Sequence, residues 1–252
     1  MFALRHLASL LLVSMVLASG SSRAANPLPD GFVRLSDIAP EIPQDMRYSS
    51  DRNFTGRPVP GYASASCILA KPVAEALKRV QSRIAAENLS LLVFDCYRPT
   101  RAVSAFMRWA QTGSGSDAQR EYHPRIARSE LVKRGYIAKV SSHSRGIAVD
   151  LTIIRQVPSD IANDQASRSP PSVCSATSTS KENAELDMGT SWDCFDKLSN
   201  THHPDITSEA KSNRRLLTRV MAAEGFENYE KEWWHFSMPL DGFTKLHDFV
   251  VD

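Results

Sequence analysis

Apolar residues recur along the chain with two different periods, and the changes between them mark the elements. Over Pro72 to Asn88, Val73, Leu77, Val80 and Ile84 stand at helical spacing with charges between them, which predicts an amphipathic helix. Leu89 to Asp95 (LSLLVFD) follows as a short, nearly continuous apolar run, the pattern of a buried strand. Tyr97-Arg98-Pro99 breaks it, and Thr100 is then the expected N-cap of a helix reaching about Gln111. Gly113 to Asp117 reads as a loop, and Ile147 to Ile154 (IAVDLTII), short and β-branched, as a strand. Thr207 to Glu224 carries a second clear helix, with Leu216, Val220 and Ala223 on one face and Gly225 at its end.

Two stretches lack such patterning. Residues 26–60 are rich in Pro, Asp and Asn and read as irregular or edge-like. Residues 156–186 hold Ser169-Pro170-Pro171-Ser172, a Ser/Thr run and few large apolar side chains. The core pattern resumes after them, so they read as a long surface loop inside one domain, not as a linker between two. Helix and strand signals mix without a βαβ alternation or an internal repeat. This favours an α+β fold, a small antiparallel sheet flanked by helices, over a doubly wound sheet.

Composition narrows the class. The 252 residues are 42% hydrophobic and 23% charged, enough for one sizeable core. Arg5 and His6 precede a 12-residue apolar run from Leu7 to Ala18, and Ser22-Arg23-Ala24 offers a small-x-small cleavage site. That run is short for a membrane span, so residues 1–25 read as a cleavable export signal, leaving residues 26–252 as an unanchored periplasmic or secreted domain. No cysteine lies near the cleavage region, which argues against a lipoprotein. Without Arg5 and Arg23 the mature chain keeps 28 basic residues against 28 acidic ones. Such neutrality argues against nucleic acid and against a polybasic membrane contact.

Export also changes the reading of Cys67, Cys96, Cys174 and Cys194. None has CxxC spacing, so a cysteine metal site is not expected. In an oxidising compartment four cysteines suggest two disulfides with three possible pairings. Cys67–Cys96 with Cys174–Cys194 is preferred because each closes a local loop; free buried thiols are the alternative.

Two segments carry candidate chemistry. Ser141-Ser142-His143-Ser144-Arg145-Gly146-Ile147-Ala148-Val149-Asp150 places a histidine just before a strand and a carboxylate on it, with Gly146 to turn the backbone between them. Glu232-Trp233-Trp234-His235 supplies a second histidine and a second carboxylate. Zinc needs imidazole and carboxylate donors converging on one point with one position open, and His143, Asp150 and His235 can provide three. Glu232 is then placed as a base acting on zinc-bound water. Singly, a histidine beside glycine reads as a turn or core residue, and a tryptophan pair as core. Asp150 is harder to dismiss, since a carboxylate buried in an apolar strand needs a cation or strong donors. In a regular strand Glu232 and His235 would face opposite sides, so that segment must end, kink or bulge. HExxH is absent, and the adjacent His202-His203 reads as loop.

The SxHxxGxAxD pattern of Ser141–Asp150 and the ExWH pattern of Glu232–His235 resemble the D-alanyl-D-alanine dipeptidases, the zinc family (peptidase family M15) that includes the vancomycin-resistance dipeptidase. Arg47-Tyr48, Asn53-Phe54-Thr55-Gly56 and Gly61-Tyr62 are similar to its N-terminal signature, and Asp95-Cys96-Tyr97-Arg98-Pro99 to its DxYRP segment. Met188-Gly189-Thr190 with Trp192-Asp193, then Asn213-Arg214-Arg215 and Gly225-Phe226-Glu227, continue the match in order over roughly residues 40–240. The resemblance implies a Hedgehog/D-Ala-D-Ala metallopeptidase-like fold and one zinc ion per chain on His143, Asp150 and His235. It implies Glu232 as general base and Arg98 as the oxyanion-stabilising arginine. Tyr48 and Asp193 match groups at the substrate's ammonium, and Ser141 and Tyr62 groups near its carboxylate. The implied reaction is hydrolysis of the D-Ala-D-Ala dipeptide to two D-alanines. The alternatives are a zinc D,D-carboxypeptidase or endopeptidase trimming longer wall peptides, or a zinc-binding module without catalysis. The chain departs from the family in its longer 156–186 segment, in Trp192 where phenylalanine is usual, and in Cys96, whose disulfide would brace Arg98.

Overall fold

The structure, a computed structural model, describes residues 27–112, 120–156, 174 and 185–252. The expected export signal, the Gly113–Asp117 loop and nearly all of the 156–186 loop lie outside the described residues. The rest forms one α+β domain, as expected. Its centre is a four-stranded antiparallel sheet of β3 (Leu89–Asp95), β4 (Ala148–Arg155), β5 (Glu227–Asn228) and β6 (His235–Ser237), in the order β3-β4-β6-β5. A smaller sheet pairs β1 (Phe32–Arg34) with β2 (Ile68–Ala70). Both of its strands are three residues long, too short to leave a period, and β1 falls in the stretch that reads as irregular.

Four α-helices are present among the described residues: α1 (Leu35–Ile38), α2 (Lys71–Ala85), α3 (Thr100–Gln111) and α4 (Ser208–Ala222). Helix α2 follows its apolar stripe, burying Val73, Leu77, Val80 and Ile84, with Pro72 in its first turn. Its Gln81 is buried as well, and Oε1 accepts from Leu91 N at 2.8 Å, which joins the helix to β3. Two details differ from the pattern-based reading. Thr100 is the first helical residue of α3, and its cap position is Pro99, which offers no side-chain acceptor. Helix α4 does start at a Thr207 N-cap, whose side chain accepts from Ala210 N. Its buried stripe, however, is Ala210, Arg214, Leu217 and Met221, rotated from the expected face; Ala223 is exposed. An arginine occupies a core position there, donating to the carbonyls of Met188, Leu198 and Asn200 at 2.6–2.9 Å, and periodicity scores such a residue as surface.

Both preferred disulfides form, Cys67–Cys96 and Cys174–Cys194, and the structure has no free cysteine. One irregularity matters for the site. Val93 pairs with Leu151, but Asp95 pairs with Asp150, so one extra residue is inserted in β3. In a continuous ladder Asp95 would face Val149. The bulge moves it beside Asp150, which in turn pairs with His235 of β6. Residues in register across antiparallel strands share a face, so Asp95, Asp150 and His235 stand in one row.

Candidate metal centre and active-site cavity

His143 reaches this row from a one-turn 3-10 helix, Ser142–Arg145. Ser141 caps it, its Oγ accepting from His143 N, and Gly146 ends it at φ 74°. A Cβ at Gly146 would come within 2.3 Å of the Phe32 ring, so the turn needs glycine on two counts. The spacing problem at Glu232 is solved by tight turns between β5 and β6. Glu232 N donates to Tyr229 O and His235 N to Glu232 O. Residues three apart in such turns come to the same side, as they do in a 3-10 helix.

Three potential ligand atoms converge. His143 Nε2 lies 3.2 Å from Asp150 Oδ1 and 3.1 Å from His235 Nδ1, and His235 Nδ1 lies 3.0 Å from Asp150 Oδ1. Ligands of a tetrahedral ion at ordinary zinc distances are separated by roughly 3.3 Å, so the triangle suits a small divalent cation. The outward ring atoms have partners of their own. His143 Nδ1 donates to the Cys96 carbonyl at 2.6 Å, and His235 Nε2 is 3.4 Å from Ser142 Oγ. With both ring protons pointing outward, three lone pairs face one another, an arrangement that a cation relieves. Burial lowers the pKa of His235 and keeps its imidazole neutral, the form that ligates. His143, Asp150 and His235 are the metal-capable cluster found among the described residues; His202 is exposed and takes no part.

A cavity of about 290 Å³ opens over this triangle, lined by Arg98, Glu232, Tyr48, Asp193 and Ser141 together with apolar side chains. Glu232 makes no side-chain hydrogen bond among the described residues. Burial, with the charges of Asp150 and Asp193 nearby, raises its pKa well above the ordinary glutamate value. Arg98 is not the surface arginine that its sequence context allows. Its side chain is 14% exposed; Nε donates to Asp95 Oδ2 at 2.9 Å, and Nη2 ion-pairs with Asp95 Oδ2 at 2.8 Å and donates to Asp150 Oδ2 at 3.5 Å. Its guanidinium also lies 5.3 Å and 5.2 Å from the ring centres of Tyr48 and Phe106. Tyr48 Oη donates to Asp193 Oδ2 at 2.9 Å. Burial and the neighbouring Asp150 raise the pKa of Asp193 well above the usual aspartate value.

Tyr62 is placed differently from the other expected residues. It is absent from the described residues lining the cavity, and its hydroxyl donates to Asp95 Oδ1 at 2.7 Å. Its ring lies 5.7 Å from that of Tyr48, which does line the cavity. Asp95 itself is the functional residue that motif reading passes over. Fully buried, it accepts from Tyr62 and Arg98, and its Oδ2 is 3.5 Å from His143 Nδ1. The reasoning that singles out Asp150, a carboxylate ending an apolar run, extends to Asp95 at the end of LSLLVFD. Trp192, which stands where phenylalanine is usual, points its Nε1 at Asp150 Oδ2, 3.4 Å away.

Comparison with known proteins gives the same direction throughout. A family model described as D-ala-D-ala dipeptidase matches residues 29–164 and 154–251. A D-alanyl-D-alanine dipeptidase of Enterococcus faecium is 34% identical over 222 residues, covering 88% of this chain and 98% of the relative. Another from Enterococcus faecalis is 33% identical over 211 residues, 84% of this chain and 93% of the relative. A third, from Escherichia coli, is 30% identical over 211 residues, 82% and 84% of the two chains.

Proposed function

Since the chain belongs to the D-Ala-D-Ala dipeptidase family of metallopeptidases, we propose that it is a zinc enzyme cleaving D-Ala-D-Ala to two D-alanines outside the cytoplasm, with His143, Asp150 and His235 as ligands. The observation that carries this reading is the triangle of lone pairs at 3.0–3.2 Å on the floor of a cavity that also holds Glu232 and Arg98. A zinc ion held by those three residues would supply Lewis acidity for the attacking water and the scissile carbonyl.

The chain's own residues do the rest. Glu232 takes a proton from the attacking water and returns it to the leaving amine. Burial and the charges of Asp150 and Asp193 raise its pKa, which favours its carrying the proton on to the leaving group. Arg98, fixed by Asp95, presents its guanidinium to the oxygen that gains charge as the tetrahedral centre forms. Asp193 and Tyr48 receive the substrate's ammonium at one end of the cavity, and Ser141 faces its carboxylate. A longer peptide would leave one of these end groups buried and unpaired, which favours dipeptides. Tyr62 contributes by holding Asp95. Export fits the two disulfides, which persist in oxidising compartments.

Release of alanine from D-Ala-D-Ala, L-Ala-L-Ala and a D-Ala-D-Ala-ended pentapeptide, with and without chelator, tests the reading. D-Ala-D-Ala is expected to be the substrate, and activity is expected to vanish on chelation and to return with zinc. Activity indifferent to chelation would refute the metal mechanism, and equal cleavage of the pentapeptide would refute the closed cavity. Asp193→Asn is expected to raise KM for the dipeptide roughly 10- to 100-fold with a smaller change in kcat, since it removes a charged partner from the ammonium. A change in kcat alone would take Asp193 out of substrate binding.

A further inference from the structure

One covalent feature close to the ligands has no part in the chemistry above. Cys67 and Cys96 are bonded to each other and wholly buried. Cys67 immediately precedes β2, and Cys96 immediately follows β3. The ladder of β3 on β4 ends at the Asp95–Asp150 pair, just past the bulge, so sheet pairing no longer sets the backbone at Cys96. Its carbonyl nonetheless accepts from His143 Nδ1 at 2.6 Å, the bond that turns Nε2 toward Asp150 and His235. Cys67 is held firmly on its own side. Its N–H donates to Gln44 Oε1 at 2.8 Å, and its carbonyl accepts from Leu35 N at 2.9 Å. Beyond Cys96, Tyr97 N donates to Ile68 O at 2.8 Å and Arg98 N to His143 O at 3.2 Å. The disulfide thus fastens Cys96 to a fixed post at the point where the strand gives up control.

We propose that the Cys67–Cys96 disulfide is a positioning element of the metal site: it fixes the Cys96 carbonyl that orients the His143 ring and, two residues on, the start of Arg98. The inference rests on the metal-site reading above. A backbone carbonyl cannot be deleted by substitution, but it can drift, and a hydrogen bond weakens steeply with distance and angle. Loss of an outer partner of a ligating histidine costs roughly 10- to 100-fold in metal affinity.

The test compares wild type, Cys67→Ser/Cys96→Ser and Leu217→Ala, a core substitution in α4. Each is stripped of metal, checked for folding by circular dichroism and titrated with zinc against a chromophoric chelator. The disulfide variant is expected to bind zinc roughly tenfold more weakly or worse and to lose kcat with KM nearly unchanged. Leu217→Ala is expected to lower Tm while keeping the zinc affinity of wild type. If buried serine hydroxyls prevent folding, Cys67→Ala/Cys96→Ala carries the same comparison. A folded disulfide variant that binds zinc as tightly as wild type, and differs only in Tm, overturns the positioning role while leaving the functional reading intact. A wild type that binds no zinc overturns both.

Discussion

Glu232→Gln is expected to retain zinc at wild-type affinity and to lose turnover roughly 10³-fold, about 4 kcal/mol of barrier. Gln keeps the shape of the side chain and cannot accept the proton. Glu232 is not one of the three converging ligand atoms, and its carboxyl makes no hydrogen bond that folding depends on among the described residues. Metal content by atomic absorption should therefore match wild type while the alanine-release rate collapses. The pH profile gives a second reading of the same residue. Burial raises the Glu232 pKa, with Asp150 and Asp193 adding to the shift. Catalysis as a base needs the ionised form, so kcat/KM falls as pH drops through this raised value, above the range of an ordinary glutamate. That acid limb is expected in wild type and absent from the residual activity of Glu232→Gln. Loss of zinc in the variant, or an unchanged acid limb, would assign Glu232 to metal binding or structure instead.

Arg98→Lys is expected to cost roughly 10²- to 10³-fold in kcat, as removal of an oxyanion donor does, with a small change in KM. Charge alone is not enough at this position. The guanidinium donates from Nε to Asp95, meets Asp95 and Asp150 through Nη2, and lies 5.3 Å and 5.2 Å from the ring centres of Tyr48 and Phe106, contacts that need a planar fork. A lysine is a single point of charge; drawn to Asp95 it no longer reaches the substrate. Arg98→Ala is expected to lose stability as well, about 3–5 kcal/mol, because Asp95 is left buried with its cationic partner gone. Denaturant unfolding beside kinetics separates the two effects. Equal unfolding midpoints for the two variants would show that Asp95 does not depend on the guanidinium.

Much of the secondary structure was legible in the chain. Leu89–Asp95 has the bounds its pattern predicts, α3 begins at Thr100 itself and not after it, and α2 and β4 differ by a few residues at their ends. Long elements with one strong period report their own burial, which is local information. The same logic misplaces the buried face of α4, because Arg214 enters the core by satisfying three carbonyls that only the folded 188–200 segment presents. The three-residue strands β1, β2 and β6 carry no period at all; their partners define them.

By itself, then, the sequence determined the class of the protein and the candidate residues: His143, Asp150, His235, Glu232 and Arg98, with Tyr48, Asp193 and Ser141 around them. These are choices of side-chain chemistry, and the spacing of donors near Gly146 and before His235 is written locally. Only the tertiary structure decided how they converge. The bulge in β3 that sets Asp95 beside Asp150, the pairing of Asp150 with His235, and the bond from Tyr62 to Asp95 all join segments far apart in the chain. Such contacts leave no periodic trace in the segments they join.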